Sequence, residues 1–167
     1  MDKESLMKSL LDTLPQTGSV SWISIRPERR TPPQAVVEVL ARKDSGLEGD
    51  HYAGRPQSKR QVTLISAEHI QAIASMLHRE KIDPGLLRRN IVVKGINLLA
   101  LKDKQFQIGE AVLEMTGLCH PCSRMEENLG PGGYNAMRGH GGITARVLKE
   151  GLIRIGDKVR MLPEAEA

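Results

Sequence analysis

Cysteines 119 and 122 are the chain's two thiols, and only two residues separate them. His120 and Pro121 lie between Cys119 and Cys122 in the segment CHPC. A cysteine reacts as its thiolate, which forms where positive charge or a helix N-terminus lies nearby. Pro121 suits the start of a helix, and the sequence SRMEENL that follows favours one. We therefore expect Cys122 near the first turn of a helix, with Arg124 adding positive charge.

Four uses of this cysteine pair are open from the residues alone. Cys122 can serve as a nucleophile, a sulfur carrier or a ligand of a soft metal at the mouth of a pocket. Zinc would use both cysteines with His120 and His51 or His140, although structural zinc usually takes two close-spaced pairs. A redox-active CxxC usually follows a strand in a thioredoxin-like βαβ unit, whereas this chain is rich in β patterns. Two inert, buried thiols are the fourth possibility.

Two glycine-rich segments carry basic side chains. GLEGDHYAGR contains Asp50, His51 and Arg55, and GPGGYNAMRGHGG contains Arg138 and His140. Glycine lets backbone N–H groups approach a ligand closely, and basic side chains beside free amides suit a phosphate. Ordinary turn chemistry explains the glycines, but it explains the repeated basic residues less readily.

A third basic segment, LLRRNIVV, places Arg88 and Arg89 directly before a predicted strand. Adjacent arginines are most often solvated, and one of the pair can also line a pocket. Asn90 opens the strand, where it can contact a ligand or only satisfy backbone groups. His69 and His78 are predicted on the exposed face of a helix, and we assign them no function.

The elements that position these residues are mainly short strands. An apolar pattern of helical period predicts a helix over 4–14 that ends before Pro15, and Ser66 is predicted to cap a second helix over 67–80. A further short helix is predicted near 144–151. Alternating patterns predict strands at 19–27, 35–41, 60–66, 90–101, 106–115 and 153–162. The strand over 90–101 is predicted to turn at Gly95, and each of the last two is predicted to contain a tight glycine turn. This pattern predicts a mainly β fold with helices (β+α), either a barrel or a sandwich.

Composition and charge narrow the class of protein. A chain of 167 residues is expected to form one domain whose core needs no disulfide or metal. The net charge of +4 suits a phosphorylated small molecule as well as nucleic acid, but one Trp, two Tyr and one Phe are too few to stack bases. We therefore expect no nucleic acid. No apolar run approaches the roughly 18 residues of a membrane span, so we expect no membrane partner, a cytoplasmic location and reduced thiols.

Together these segments resemble the MOSC domain, named for the C-terminal domain of molybdenum cofactor sulfurase. The matching pieces, in order, are GLEGDHYAG, KRQVTLIS, LRRNIVVKGINL, FQIGEAVLEMTGLCHPC, AMRGHGGITARV and GLIRIGDKVRM. Their order and spacing are similar to those of free-standing bacterial members, from about Ser19 to Met161. The resemblance implies an N-terminal helical extension at 1–18, a MOSC domain at 19–162 and a tail at 163–167. It also implies a β-barrel of mostly antiparallel strands with a few peripheral helices.

The resemblance further implies a pocket for the molybdenum cofactor, a pterin that carries a phosphate and a dithiolene. Cys122 falls on the invariant cysteine of the family, as catalytic thiol and molybdenum ligand. The residues expected to bind the cofactor combine the family positions with those chosen above: Asp50, His51, Arg55, Arg89, Asn90, Arg124, Arg138 and His140.

The expected function is cofactor binding, with Cys122 as a sulfur carrier or molybdenum ligand. In the larger sulfurases a pyridoxal-phosphate domain makes the persulfide. We expect no pyridoxal phosphate in this chain, so sulfur would come from a separate protein such as a cysteine desulfurase. A second interpretation is a molybdenum-dependent reductase of N-hydroxylated compounds, which would need a separate flavin or iron–sulfur electron donor. A third is a non-catalytic module for a phosphorylated ligand with structural cysteines. Cys119 departs from the family pattern and could resolve a Cys122 persulfide or pair with Cys122.

Overall fold

The computed structural model describes residues 2–51 and 58–164. Within them the chain forms eleven strands: β1 (Gly18–Ile25), β2 (Gln34–Val36), β3 (Glu38–Arg42), β4 (Gly46–Leu47), β5 (Val62–Ser66), β6 (Ile91–Lys94), β7 (Gln105–Ile108), β8 (Ala111–Leu118), β9 (Ile143–Lys149), β10 (Gly151–Arg154) and β11 (Lys158–Met161). The same residues form four α-helices: α1 (Lys3–Leu11), α2 (Ala67–Met76), α3 (Ser123–Leu129) and α4 (Gly133–Met137). Two single-turn 3₁₀ helices lie at Pro84–Leu87 and Leu98–Leu101.

Seven of the described strands close into a barrel. Their order is β1, β6, β5, β9, β8, β7 and β11, and β11 then pairs with β1 through Gly18 and Val159. β5 and β6 pair in parallel, and the other neighbours in the barrel pair antiparallel. β2 extends the sheet beside β1, and β3, β4 and β10 form a separate three-stranded sheet. The predicted mainly β fold, a barrel of mostly antiparallel strands, is confirmed.

Aliphatic side chains fill the barrel because alternate residues of each strand point inward. In β8 the buried positions are Ala111, Leu113 and Met115, and the intervening residues are partly exposed. A second apolar cluster lies outside the barrel, where α2, α3 and α4 pack on β5 and β6 through residues such as Ile73 and Met125. Each fully buried side chain of this size contributes about 1.5–3 kcal/mol. This second cluster holds α3 against the barrel.

Four predicted elements differ from the structure. The helix predicted near 144–151 is wrong, because β9 occupies this segment and pairs with both β5 and β8. Pairing of β9 with a strand on each side outweighs the helix propensity of its local sequence. In the segment 90–101 the predicted turn at Gly95 is present, at φ +85°, but the strand ends at Lys94 and a 3₁₀ turn at Leu98–Leu101 replaces its continuation. The strand predicted over 35–41 is split into β2 and β3. In the segment 153–162 the glycine turn is present, but β10 and β11 pair in different sheets.

The two predicted helices at the N-terminus and after Ser66 are present but shorter. α1 ends at Leu11, and α2 ends at Met76. The Ser66 hydroxyl accepts the backbone N–H of His69, as expected of an N-cap. Each helix among the described residues falls short of the length and apolar character that a membrane span requires. The division into 1–18, 19–162 and 163–167 stays a prediction.

Candidate functional site

The predicted site segments meet on the flank of the barrel where β6 and β9 begin on either side of β5. Strand register pairs Ile91 with both Ile23 and Leu64, and Ile143 with both Leu64 and Leu118. The end of β1, the start of β6, the end of β8 and the start of β9 therefore lie at the same level. The cysteine loop after β8 (119–122), the glycine loop before β9 (138–142) and the Arg89–Asn90 pair before β6 all adjoin this level.

The cysteine loop places its two sulfurs in opposite environments. Cys119 is 2% exposed, and its backbone N–H donates to the carbonyl of Gly142 at 2.8 Å. Cys122 is exposed and is the N-cap residue of α3, with an extended backbone and no side-chain capping bond. Both cysteines are free thiols. Cys122 therefore lies at the start of a helix, where the sequence predicted it, and its sulfur is accessible.

Arg89 joins the cysteine loop to the glycine loop from inside the protein. Arg89 is buried and only 3% exposed. The guanidinium donates to four backbone carbonyls: Gly141 from Nε at 2.7 Å, Leu87 from Nη1 at 3.1 Å, and Cys119 and His120 from Nη2 at 3.2 and 3.4 Å. The Arg89 fork therefore fixes the relative position of the two loops.

The Arg89 charge lies near both thiols. Burial lowers the pKa of the Arg89 guanidinium. The two cysteines, Cys119 and Cys122, act to raise this pKa, and the cation of Arg60 lowers it. Arginine keeps its charge in proteins despite such shifts. A permanent positive charge is therefore within electrostatic reach of the exposed sulfur of Cys122.

Glycine lets the two loops touch. A Cβ atom at Gly141 would overlap the carbonyl oxygen of Cys119, and one at Gly142 would overlap the carbonyl oxygen of Leu64. Gly142 also has a φ of +91°, which side chains disfavour. Close backbone packing therefore accounts for these two glycines.

Glu126 connects α3 to α4, the helix that leads into the glycine loop. Its carboxylate accepts the N–H groups of Tyr134 at 3.0 Å and Gly132 at 3.1 Å. These backbone hydrogen bonds hold the pKa of Glu126 below its usual value. The bonds tie the segment after Cys122 to the segment that carries Arg138.

Arg124 and Arg138 have guanidinium groups without a partner in the part of the chain that the structure describes. Arg124 is the second residue of α3 and is half-buried, whereas Arg138 is the exposed C-cap of α4. Within residues 2–51 and 58–164, neither side chain forms a hydrogen bond or an ion pair. Both cations are thus free to meet an anion.

His140 carries a polar atom that is buried and unsatisfied. Its Nδ1 has no hydrogen-bond partner in the described part of the chain. The His140 ring meets the ring of His69 edge-on, with centroids 5.0 Å apart. Burial lowers the pKa of His69, the His140 ring lowers it further, and Glu68 raises it.

His69 adjoins the glycine loop through His140, which the sequence did not indicate. The prediction that it lies on the exposed face of its helix is wrong, because it is half-buried against His140. Its position four residues before the buried Ile73 would have indicated a packed face. His78, by contrast, is exposed as predicted.

Asp50 and His51 begin the first glycine segment and are anchored to the end of β1. Asp50 is buried, and its Oδ1 accepts the N–H of Arg26 at 2.8 Å. The His51 N–H donates to the carbonyl of Arg26 at 2.6 Å, while the residue itself is exposed. Arg55, predicted from the same segment, lies outside the described residues.

Asn90 ties three strands together. Its Oδ1 accepts the N–H and hydroxyl of Thr63 at 3.0 and 3.1 Å, and its Nδ2 donates to the carbonyl of Ser24 at 3.2 Å. The side chain satisfies backbone groups, which was one of the two roles left open. Its contribution to ligand binding stays a prediction.

The described part of the chain contains no set of side chains that could bind zinc. Across residues 2–51 and 58–164, no three His, Cys, Asp or Glu side chains are arranged to hold a metal ion. Cys119 faces the interior while Cys122 faces solvent. The two sulfurs are therefore not directed at a common ion.

A family model described as the MOSC domain matches residues 43–160. The matched range contains both glycine segments, Arg89 and the cysteine loop. No functionally curated protein matches the chain.

Several solved structures share the fold. The YUAD protein from Bacillus subtilis superimposes with a TM-score of 0.76 at 20% identity, covering 88% of this chain and 97% of that chain. YiiM from Geobacillus stearothermophilus has a TM-score of 0.69 at 16% identity, with coverage of 87% and 75%. YiiM from Escherichia coli has a TM-score of 0.66 at 17% identity, with coverage of 87% and 70%. At such identities the likeness concerns the fold alone.

Proposed function

The chain belongs to the MOSC domain family, and we propose that it binds the molybdenum cofactor with Cys122 as its working thiol. The family is one of molybdenum-cofactor-binding domains. The observation that carries the proposal is the contrast between the two cysteines. Cys119 is buried, whereas Cys122 is exposed and lies within reach of the Arg89 charge.

Three features of the site fit a ligand of this chemistry. A free, exposed thiol at Cys122 suits a soft metal such as molybdenum. The uncommitted guanidinium groups of Arg124 and Arg138 suit a phosphate. The unsatisfied Nδ1 of His140 is unfavourable as it stands, and a polar ligand group would satisfy it.

Each residue then has a stated task. Cys122 presents its sulfur, Arg124 and Arg138 bind the anionic part of the ligand, and Arg89 keeps the two loops in place. When bound, the cofactor supplies redox and sulfur-exchange chemistry at molybdenum. Asp50 and His51, beside the end of β1, and Asn90, at the start of β6, belong to the proposed binding surface through their positions. Arg55 is assigned to that surface from the sequence alone.

As a sulfur carrier, Cys122 would accept a sulfur atom from the persulfide of a donor protein such as a cysteine desulfurase. The Cys122 sulfur attacks the outer sulfur of the donor persulfide, and the sulfur–sulfur bond of the donor breaks. The donor leaves as a thiol, a new sulfur–sulfur bond forms at Cys122, and no external oxidant is needed. We propose a cytoplasmic location for this chemistry, where thiols stay reduced.

A reductase of N-hydroxylated compounds is the second candidate, and its supporting observation is the same free thiol in the role of metal ligand. The electrons would come from a separate flavin or iron–sulfur protein. A non-catalytic module for a phosphorylated ligand would use the same free guanidinium groups and would not need Cys122.

The test is to measure the metal and pterin content of protein made in a host that synthesises the cofactor. We expect molybdenum and pterin in the wild type and a loss of molybdenum of about tenfold or more in Cys122→Ser, because the soft ligand is removed. Cys119→Ala is the matched control and should keep both, since Cys119 is buried and held by its backbone. Mass spectrometry after treatment with a desulfurase and cysteine reports a sulfur atom added to Cys122 if it is a carrier.

Two results for the metal and pterin content would count against the proposal. Wild-type protein with no more molybdenum and pterin than Cys122→Ser would contradict a role for Cys122. Protein that retains a phosphorylated ligand without molybdenum, in wild type and Cys122→Ser alike, would favour the non-catalytic module.

A further inference from the structure

Helix α1 exposes its apolar face to solvent. Leu6, Met7, Leu10 and Leu11 lie on one side of the helix and are between 50% and 62% exposed. No residue of α1 is buried. Exposed apolar side chains are ordinary when scattered, but a contiguous set of four on a single face is not.

Few contacts hold α1 to the barrel within one copy of the chain. Asp2 caps its first turn by accepting the N–H of Ser5 at 2.7 Å. At the other end, Asp12 pairs with Lys8 at 2.6 Å and with Lys104. Such surface ion pairs contribute little to stability, and an isolated helix of nine residues is marginal in water. Among residues 2–51 and 58–164, a single copy therefore buries no side chain of this helix in apolar contacts that would stabilise it.

An apolar cavity of about 750 Å³ runs beside α1. Its apolar lining comes from Met7, Leu10 and Leu11 of the helix and from Leu99 and Ala100 of the 3₁₀ turn at Leu98–Leu101. A second cavity of about 320 Å³ shares Leu99 and extends to Leu118, which is half-exposed and directly precedes Cys119. We call this region the α1 surface: Leu6, Met7, Leu10, Leu11, Leu99, Ala100 and Leu118.

The charges around the α1 surface are mixed. Three lysines and four acidic residues line the larger cavity: Lys8, Lys102, Lys104, Glu4, Asp12, Asp103 and Glu164. A nucleic acid or an anionic membrane would favour a predominantly basic rim. A second copy of the chain brings the same mixed set, so that basic groups of one copy can face acidic groups of the other.

We propose that two copies of the chain pair through the α1 surface about a two-fold axis. A two-fold interface must be self-complementary, and this surface combines an apolar ridge on α1 with an apolar cavity beside it. The ridge of each copy would enter the cavity of the other. A specific interface buries at least about 1,000 Å² in total, or roughly 500 Å² from each copy. A specific dimer therefore requires the α1 surface to supply roughly 500 Å² from each copy. Because it reaches Leu118, the second copy would adjoin the cysteine loop.

The test is the mass of the full-length protein in solution, measured by light scattering and sedimentation velocity over a range of concentrations. The wild type should be a dimer, and Leu10→Glu should weaken the dimer at least about 100-fold by placing a charge in its apolar centre. Leu99→Glu, on the opposite wall of the cavity, should do the same. Val37→Glu is the control, because Val37 is 76% exposed and lies outside the α1 surface. Helical content from circular dichroism should fall when the dimer dissociates.

A wild type that stays monomeric at about 100 μM would overturn the proposal, since helix pairing of this size should be complete there. Leu10→Glu and Leu99→Glu variants that dimerise as tightly as the wild type would also overturn it. Because Leu10 is exposed in a single copy, its replacement should leave the barrel folded, as the thermal unfolding of the variant can verify.

Discussion

Replacement of Arg89 with methionine is expected to lower the free energy of unfolding by about 3–5 kcal/mol, because four carbonyl groups lose their donor. Methionine keeps much of the length and the apolar stem of arginine. It supplies no N–H group to the carbonyls of Leu87, Cys119, His120 and Gly141. Such a loss is a large share of the stability of a typical domain. Chemical denaturation followed by circular dichroism measures it.

Two variants separate the causes of the Arg89 effect. Arg89→Lys keeps the charge but cannot reproduce the planar fork, so it should recover only part of the lost stability. Arg79→Met is the control, since Arg79 is exposed and donates only to the carbonyl of Leu129. We expect a change of about 1 kcal/mol there. If Arg89→Met is no more harmful than Arg79→Met, Arg89 does not hold the loops together.

Gly141→Ala is expected to cost about 3 kcal/mol and to displace the cysteine loop, because the new methyl group would overlap the carbonyl oxygen of Cys119. The Arg89 guanidinium lies 3.3 Å from the same Cβ position and leaves little room for adjustment. Buried Cys119 should therefore become more accessible to a thiol reagent. Thermal unfolding and the labelling rate of Cys119 give the two readouts.

Gly117→Ala is the matched control for this contact. A Cβ atom at Gly117 would lie 3.6 Å from Oγ1 of Thr144, which is ordinary van der Waals separation. Neither glycine has a positive φ, so the comparison isolates the contact from backbone strain. Equal stability and equal Cys119 labelling in the two variants would show that the loops can separate without consequence.

Most of the strands could be predicted from the sequence because they carry a local signal, whereas the choice of a barrel over a sandwich came from the family resemblance. Alternating apolar residues and the glycine turn at Gly109 predicted β7 and β8, which form a hairpin. The related turn at Gly156 is also present, but β10 pairs with β3 in the three-stranded sheet and not with β11. Pairing across a sheet depends on distant residues, and for this reason β9 was mistaken for a helix. Local propensity could not report that β5 and β8 lie on either side of it.

The site was predictable in its residue types and not in its contacts. A spacing of three residues does not say which cysteine faces solvent. The choice of Cys122 rested on the helix predicted directly after it and on the family resemblance. The role of Arg89 depends on carbonyls 30 and 52 residues further along the chain, at Cys119 and Gly141. Such bonds leave no pattern in a single sequence. The contact between His69 and His140 also joins distant parts of the sequence, and it was missed for the same reason.

Competition between alkylation and cofactor binding tests the role of Cys122 most directly. Cofactor-free protein is treated with an alkylating reagent, with and without molybdenum cofactor, and the labelling of each cysteine is followed by peptide mass spectrometry. We predict that Cys122 reacts at least about tenfold faster than Cys119 in the folded protein. We also predict that cofactor slows the labelling of Cys122 by about tenfold or more, because the sulfur is occupied, and leaves Cys119 unchanged. Similar rates at the two cysteines, or labelling of Cys122 that the cofactor does not slow, would contradict the account.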